Sequence, residues 1–204
     1  KDELIDREIA RADDLLSLQP DPLDEIDQLV FDYYGLDAHE IALIEDTFRY
    51  IIPAMQPRRS AGLQKIWTNS NFEHRADYAA MLCDALSPCF IAPVQASLAA
   101  KSGDVAVLKL TIGSDDDTYR EDERSEVGQF LQSIQADLPV RLPGNVQLVP
   151  DLRFVIGSDM YLVKPMQLRH WLRSTALADA EQIAAEFTAA TARQEKTGGE
   201  YAIR

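Results

Sequence analysis

The spacing of apolar and polar residues predicts that the first third of the chain is helical. Within residues 2–18 the apolar side chains recur at a period close to 3.6 residues, and two prolines in the following QPDP end this pattern. A second apolar stripe leads up to Gly35, a residue suited to the end of a helix. The two stripes consist of Leu4, Ile5, Ile9, Leu15 and Leu16, then Leu23, Ile26, Leu29, Val30 and Tyr33.

Two further helices are predicted before residue 90. The third is expected to end at Pro53 because proline lacks the N–H that a helix interior needs. The fourth runs through EHRADYAAMLCDAL, with Asn71 as its N-cap and Ser87-Pro88 at its end. The apolar residues expected to face inward on the third helix are Ile41, Ile44, Phe48 and Ile51 or Ile52.

After Pro93 the apolar pattern changes to a period of two. The stretch PVQASLAAKSGDVAVLKLTIG predicts a hairpin around a Ser-Gly turn, and LRFVIGSDMYLVKP predicts a second hairpin closed by Gly157-Ser158-Asp159. Between them an acidic run, SDDDTYREDERSE, leads into a helix, and MQLRHWLRS and LADAEQIAAEFTAATAR are predicted as two last helices. The alternating residues of the first hairpin are Ala106, Leu108, Leu110 and Ile112, and those of the helix are Val127, Phe130, Leu131 and Ile134.

This order of elements predicts an α+β fold, in which an N-terminal helical segment is followed by an antiparallel sheet of two hairpins packed with helices. The predicted domains are a helical segment, residues 1–62, and an α+β domain, residues 63–204, or one continuous domain. The first residue is Lys rather than Met, so we expect the chain to be part of a longer protein.

Composition indicates a cytoplasmic protein. The longest apolar runs are too short to span a bilayer, and the N-terminus is charged where a signal peptide would be apolar. Cys83 and Cys89 form a C-x5-C pair without the further ligands of a zinc site, so we expect two buried free thiols. No membrane partner is expected.

The stretch FDYYGLDAHE, residues 31–40, predicts a tight corner between two helices. Gly35 suits the positive φ at the end of the first helix. Asp37 can cap the second helix while Glu40 reaches back to the amide of Asp37, which is a capping box. His39 has no basic or nucleophilic partner nearby in sequence, so we expect an exposed histidine.

The same region resembles a segment near the C-terminal end of many bacterial restriction-modification proteins, written roughly I-D-x-L-V-Y-x-L-Y-G-L-[TS]-x-E-E-I. These are adenine-N6 DNA methyltransferases (type II or IIG-like) and specificity subunits, in which the segment belongs to or follows the region that recognises DNA. The chain departs from the pattern at Phe31, Tyr33, Asp37 and His39. The matching residues are Ile26, Asp27, Leu29, Val30, Tyr34, Gly35, Leu36, Glu40 and Ile41.

The resemblance covers about a tenth of the chain and implies a non-catalytic part of such a protein. The cofactor motif F-x-G-x-G and the target-base motif N/D-P-P-Y of these methyltransferases are both absent. The chain also lacks a Ser/His/Asp arrangement, a glycine-rich phosphate loop and H-x-x-x-H spacing. We therefore predict no catalytic residue, no metal and no cofactor, and an unfamiliar enzyme site near Asp159 and His170 is the weaker alternative.

Two metal-dependent sites are disfavoured by spacing. A nuclease site needs a carboxylate followed by an acid-x-Lys on a strand, whereas Asp159 and Lys164 are five residues apart and would face opposite sides. The acidic cluster 115–117 lacks the glycine and the distal glutamate of an EF-hand loop. An ordinary hairpin and a solvated acidic loop explain these residues better.

Two short basic segments stand out in a chain of net charge −14. Residues 51–75 have four basic residues against Glu73 alone, and residues 164–173 have three against none. Cations can neutralise phosphates, an indole can stack on a base and amides can bind base edges. The predicted DNA-binding residues are Arg58, Arg59, Lys65, Trp67, Asn69, Lys164, Arg169 and Arg173.

The alternative is that Leu168 and Trp171 belong to the core and that the arginines pair with the plentiful acids. If MQLRHWLRS is a helix, Arg169 and Arg173 share one of its faces. The first functional hypothesis is a non-catalytic C-terminal module of a restriction-modification or phage-defence protein that supports DNA engagement. The second is an acidic protein-interaction module that docks on a partner or on its own methyltransferase domain.

Overall fold

A computed structural model describes residues 22–56, 65–113, 119–122, 126–134 and 152–196. The chain divides into two compact units, residues 1–41 and 42–204. The helix predicted in residues 2–18, the C-terminal tail and the domain boundary predicted at residue 62 lie outside the described residues.

The first described helix, α1 (Pro22–Tyr34), ends at the predicted glycine. Gly35 has φ of +63°, and the Leu36 N–H donates to the Phe31 carbonyl over 3.0 Å. The Gly35 N–H donates to the Asp32 carbonyl over 3.2 Å, which completes a Schellman motif. The helix end predicted from the sequence is confirmed.

The next helix, α2 (Ala38–Asp46), begins with the predicted capping box. The Glu40 N–H donates to Oδ1 of Asp37 over 2.9 Å, and the Asp37 N–H donates to Oε2 of Glu40 over 3.0 Å. His39 is half-buried rather than exposed. The glycine and both acids of the corner therefore have structural roles.

The prediction that Pro53 ends this helix is wrong. The helix continues from α2 through a π turn (Thr47–Ile51) into α3 (Ile52–Met55), and the Ile52 N–H donates to the Thr47 carbonyl. A proline ring clashes with the carbonyl four residues earlier in a regular α-helix. The wider π turn changes the backbone at that position, so the chain stays helical through Pro53.

The face predicted to point inward is correct only in part, since Ile41 and Ile44 are half-buried but Ile51 and Ile52 are exposed. Ala42 and Asp46 are buried, whereas the side chain of Phe48 is 67% exposed. Asp46 accepts a 2.7 Å hydrogen bond from the backbone N–H of Ser174. The buried side of the helix therefore combines an apolar residue, Ala42, with a polar contact made by Asp46.

The remaining chain forms the α+β fold that the sequence predicts. The helices α4 (Phe72–Leu86), α5 (Val127–Ile134) and α6 (Arg173–Lys196) pack with a five-stranded sheet. Its strands are β1 (Val94–Ser102), β2 (Val105–Ile112), β3 (Arg120–Glu121), β4 (Leu152–Ile156) and β5 (Asp159–Pro165).

The strand order is β3-β1-β2-β5-β4. Both predicted hairpins are confirmed, and β2 pairs antiparallel with β5 to join them. The sheet is mixed rather than purely antiparallel because β3 pairs parallel with β1. The short strand β3 lies in the acidic run, whose charge gives no strand pattern.

Both faces of the sheet are covered. On one face, β1, β2 and β5 share a core with α4 and α6, and Leu82, Leu108 and Ile183 are fully buried there. On the other face, Val107 and Val163 belong to a second cluster with Val127 of α5. Buried residues on both sides explain why β2 is apolar at successive positions as well as alternate ones.

The C-terminal part differs from its prediction. The first of the two expected helices is only a 3-10 turn (Leu168–His170), and α6 is one helix of 24 residues.

Cys83 and Cys89 are free thiols, but Cys83 is half-buried and Cys89 is exposed, which corrects the expectation that both are buried. None of the described helices combines the length and apolar character needed to cross a membrane.

Candidate nucleic-acid interface

The two basic segments predicted from the sequence meet in the structure. The Ser70 N–H donates to the Met166 carbonyl over 2.7 Å, and the Leu168 N–H donates to the Thr68 carbonyl over 2.8 Å. These bonds form an isolated antiparallel bridge, in which Asn69 of the first segment is paired with Gln167 of the second. Backbone pairing therefore holds the two segments side by side.

An arginine from one segment stacks on the tryptophan of the other. The guanidinium carbon of Arg169 lies 3.8 Å from the centre of the Trp67 ring, and 46% of Trp67 remains exposed. Nε of Arg169 also donates to Oε1 of Gln167 and to Nε2 of His170, each over 3.1 Å. The guanidinium group of this exposed arginine therefore contacts an aromatic ring, an amide and an imidazole rather than a carboxylate.

Lys65 adds a second cation in a neutral setting, since its Nζ lies 4.8 Å from the centre of the Tyr50 ring. Within the part of the chain that the structure describes, neither Lys65 nor Arg169 has a carboxylate within 4 Å. We call the exposed residues Lys65, Trp67, Asn69 and Arg169 the joined patch. Other cations bind carboxylates instead: Arg49, Arg75, Lys101, Lys109, Arg153, Lys164 and Arg173.

Lys164, predicted to contact DNA, lies in the core. Its side chain is 1% exposed, and it is on the same face of β5 as Met160 and Leu162, beneath α4 and α6. Nζ donates to the hydroxyl of Tyr78 over 3.0 Å and forms an ion pair with Asp179. A phosphate cannot reach this ammonium group without unfolding the core, so the prediction for Lys164 is corrected.

Arg173 is also bound by protein groups. It is the first residue of α6 rather than a helical neighbour of Arg169, and it forms an ion pair with Glu45 and lies 3.8 Å from Asp46. Burial alone would lower the pKa of Arg173, but the bond and charge of Glu45 raise it above its usual value. The predicted shared face of Arg169 and Arg173 does not exist.

The remaining predicted residues, Arg58 and Arg59, lie outside the described residues, and their role stays a prediction. The weaker enzyme hypothesis gains no support from geometry. Asp159 binds Lys109 and the Thr111 hydroxyl at the start of β5, whereas His170 lies beyond its end and contacts Arg169. In the described ranges, no group of three His, Cys, Asp or Glu residues could hold a metal ion.

A small polar pocket of about 120 Å³ lies beside the joined patch, and Tyr50 in its lining carries Lys65 of the patch over its ring. Sequence reasoning missed this pocket because its residues come from three separate parts of the chain. The spacing of His74 and Asp77 on one helix was the only local signal. The pocket is lined by Asp46, Arg49, Tyr50, His74, Asp77, Trp171, Leu172 and Arg173.

Two groups of this pocket have shifted pKa values. Burial lowers the pKa of His74, whose Nδ1 accepts the Asn71 N–H over 3.4 Å in the N-terminal capping box of α4. Burial, and then the charge of Asp46, raise the pKa of Tyr50. At neutral pH the pocket therefore presents a neutral imidazole and a neutral phenol.

A larger groove of about 570 Å³ lies between α4 and β1. Its lining includes Cys83, Asp84 and Tyr119, and burial raises the pKa of Cys83 to about 11. A thiol with so high a pKa is a poor nucleophile at neutral pH. Cys83 therefore gives this groove no reactive thiol at neutral pH.

Comparison with known proteins gives no relative: no protein-family model, no curated protein and no solved structure matches this chain. The resemblance to restriction-modification proteins therefore stays a prediction.

Proposed function

We propose that this chain is a non-catalytic module of a restriction-modification or phage-defence protein and that it engages DNA through the joined patch. The observation that carries the proposal is the meeting of Lys65 and Arg169, two cations without a carboxylate partner among the described residues, beside the half-exposed Trp67. The net charge of the chain is −14, so these cations form a local basic surface on an otherwise acidic protein, and such a surface can attract a polyanion.

The patch offers three kinds of contact that nucleic acid uses. Lys65 and Arg169 can bind phosphate oxygens, and Arg169 is held in place by the indole beneath it. The exposed amide of Asn69 can bind base edges, and the exposed part of Trp67 can stack on an unpaired base. The backbone bridge between the segments fixes these groups relative to one another.

The affinity should be weak and sensitive to salt. Two described cations, with Arg58 and Arg59 added, give between two and four phosphate contacts. Counterion release then predicts that the logarithm of the binding constant falls with the logarithm of salt with a slope of about −2 to −4. The acidic remainder of the chain makes low ionic strength the right starting condition.

A mobility-shift or fluorescence-anisotropy titration on duplex and single-stranded DNA tests the proposal. Arg169→Ala should weaken binding and reduce the salt slope by about one unit, and Trp67→Ala should weaken single-strand binding by about 1–3 kcal/mol. Arg120→Ala removes an exposed arginine from β3 and is the matched control. No saturable binding at low salt, or equal losses in Arg169→Ala and Arg120→Ala, would contradict the proposal.

The second candidate function is the acidic protein-interaction module. Residues 1–50 hold fifteen acidic and four basic side chains. The specific observation in its favour is an apolar stripe on α1 that is exposed, with Leu29 at 69% and Tyr33 at 83%. Apolar residues bordered by carboxylates suit a partner with an apolar groove and basic rim, such as another domain of the parent protein.

Binding to a partner must survive nuclease treatment to favour this second function. It should be lost in a Leu29→Ser and Tyr33→Ser double variant or on deletion of residues 1–20, and retained in Arg169→Ala. The opposite pattern, with loss only in Arg169→Ala, would favour DNA engagement.

A further inference from the structure

The small pocket beside the joined patch contains a hydrogen-bond donor and an acceptor that are not used by the protein groups the structure describes. In the described part of the chain, no protein group forms a hydrogen bond with the Tyr50 hydroxyl, the Asp77 carboxylate or Nε2 of His74. By contrast, Asp46 is bound by the Ser174 N–H, and Arg173 by Glu45. The first three groups are therefore available to a ligand.

The donor and acceptor character of these groups follows from their bonds. Because Nδ1 of His74 accepts the Asn71 N–H and the ring is neutral, its proton is on Nε2, which can donate. Asp77 follows His74 by three residues, so it lies on the same face of α4 and offers an acceptor. The Tyr50 hydroxyl can do either.

Charge and size limit the ligand. The lining holds two carboxylates, Asp46 and Asp77, and two guanidinium groups, Arg49 and Arg173, and both arginines pair with Glu45 beside the pocket. No positive charge is therefore left over for an anion, and a neutral ligand that donates to Asp77 is favoured. A volume of about 120 Å³ is well below the ~300–1,000 Å³ of sites that enclose drug-sized ligands. It suits one small planar group.

We infer that this pocket takes one unpaired nucleobase whose Watson–Crick edge has an exocyclic amine next to a ring-nitrogen acceptor, which describes adenine and cytosine. Asp77 accepts from the amine, and Nε2–H of His74 or the Tyr50 hydroxyl donates to the ring nitrogen. In the same orientation uracil and thymine present a carbonyl to Asp77 and an N–H where the ring-nitrogen acceptor would be, so both contacts are mismatched. A base in an intact duplex cannot enter, which restricts the site to single-stranded or extruded bases.

The inference rests on the proposed function, since the joined patch brings a strand to the pocket. The patch and the pocket meet at Tyr50, whose ring lies under Nζ of Lys65. A strand bound by Lys65 and Arg169 would then pass the pocket mouth, where Asp77 is exposed.

Titration of uncharged nucleosides tests the pocket separately from DNA binding. Adenosine, cytidine, uridine and thymidine are titrated into the full chain and followed by NMR shifts of the His74 ring signals or by calorimetry. Adenosine and cytidine should bind about tenfold more tightly than uridine and thymidine, because one hydrogen bond to a charged group is replaced by a repulsion. Asp77→Ala should remove this preference.

Asp84→Ala is the matched control, since Asp84 is an exposed aspartate of the same helix outside this pocket. Far-UV circular dichroism and the melting temperature confirm that both variants fold, as expected for exposed positions. Equal binding of all four nucleosides, no saturable binding, or a preference kept in Asp77→Ala would overturn the inference. DNA binding without nucleoside binding would overturn only the inference, and nucleoside binding without DNA binding only the proposed function.

Discussion

Replacing Lys164 by methionine tests whether this lysine stabilises the core. Its Nζ forms an ion pair with Asp179, donates to the Tyr78 hydroxyl over 3.0 Å and lies 4.5 Å from the centre of the Tyr78 ring. The Tyr78 hydroxyl itself donates to Asp179 over 2.5 Å. These three residues come from β5, α4 and α6, so their bonds tie both helices to the sheet.

The expected loss depends on which partner is removed. Breaking a buried ion pair by removing one partner costs about 3–5 kcal/mol, because the other charge is left buried. In Lys164→Met, Asp179 keeps Tyr78 and Nη2 of Arg153 at 3.3 Å, so a loss of about 3 kcal/mol is expected. In Asp179→Leu, Lys164 loses its ion-pair partner while its ammonium group stays buried beside the Tyr78 hydroxyl, so the expected loss is larger, about 5 kcal/mol.

Thermal unfolding followed by circular dichroism measures these losses. For a chain of this length about 2–4 °C is lost per kcal/mol, so the melting temperature should fall by about 6–12 °C in Lys164→Met and about 10–20 °C in Asp179→Leu. The double variant should be more stable than the sum of the single losses predicts, because it leaves no unpaired ammonium.

The DNA affinity of folded Lys164→Met should equal that of the original chain. A melting temperature within about 2 °C of the original would refute the assignment of Lys164 to the core. So would a loss of DNA affinity at unchanged stability.

Three further predictions concern other parts of the chain. Burial alone would raise the pKa of Glu121, but hydrogen bonds from Arg75 and Lys101 lower it below the usual 4.5. The stability that Glu121 contributes is therefore present above about pH 4.5 and is lost as the pH falls through the lower folded-state pKa. In Glu121→Gln, the free energy of unfolding measured in urea should depend less on pH across that range. Gly35→Ala should lower the free energy of unfolding in urea by about 1 kcal/mol, because alanine is strained at a φ of +63°. No atom lies within 4 Å of the added Cβ, so this backbone strain is the whole effect. An unchanged urea midpoint would contradict the Schellman end of α1. A thiol of pKa about 11 is only about one part in a thousand thiolate at pH 8, so Ellman's reagent should label exposed Cys89 quickly and half-buried Cys83 far more slowly. A fast phase that persists in Cys89→Ser would be the contrary result.

Elements that depend on neighbouring residues were predictable. The corner at Gly35 and Asp37, the cap at Asn71 and both hairpins follow the sequence, since each is decided by backbone conformations and hydrogen bonds within a few positions. The α+β fold follows from the change of period after Pro93. The resemblance of the corner segment to restriction-modification proteins is likewise a property of the sequence alone.

Tertiary structure decided where each charged side chain lies. The sequence marks Lys164, Arg169 and Arg173 as equal cations, but strand alternation places Lys164 beside Asp179, the start of α6 places Arg173 beside Glu45, and only Arg169 remains on the surface. Alternation with Met160 and Leu162 was visible in the sequence and could have shown that Lys164 points into the core.

The sequence by itself therefore determined the helix corner, the hairpins and the α+β class. The tertiary structure alone decided the joined patch, the polar pocket and the buried face of α2, because each depends on groups that are distant in sequence. A residue type fixes which bonds a side chain can form, whereas packing fixes which partners lie within reach. Trp67 and Arg169 illustrate this: either residue alone indicates only an aromatic ring or a cation, and the backbone bridge between their segments makes them one surface.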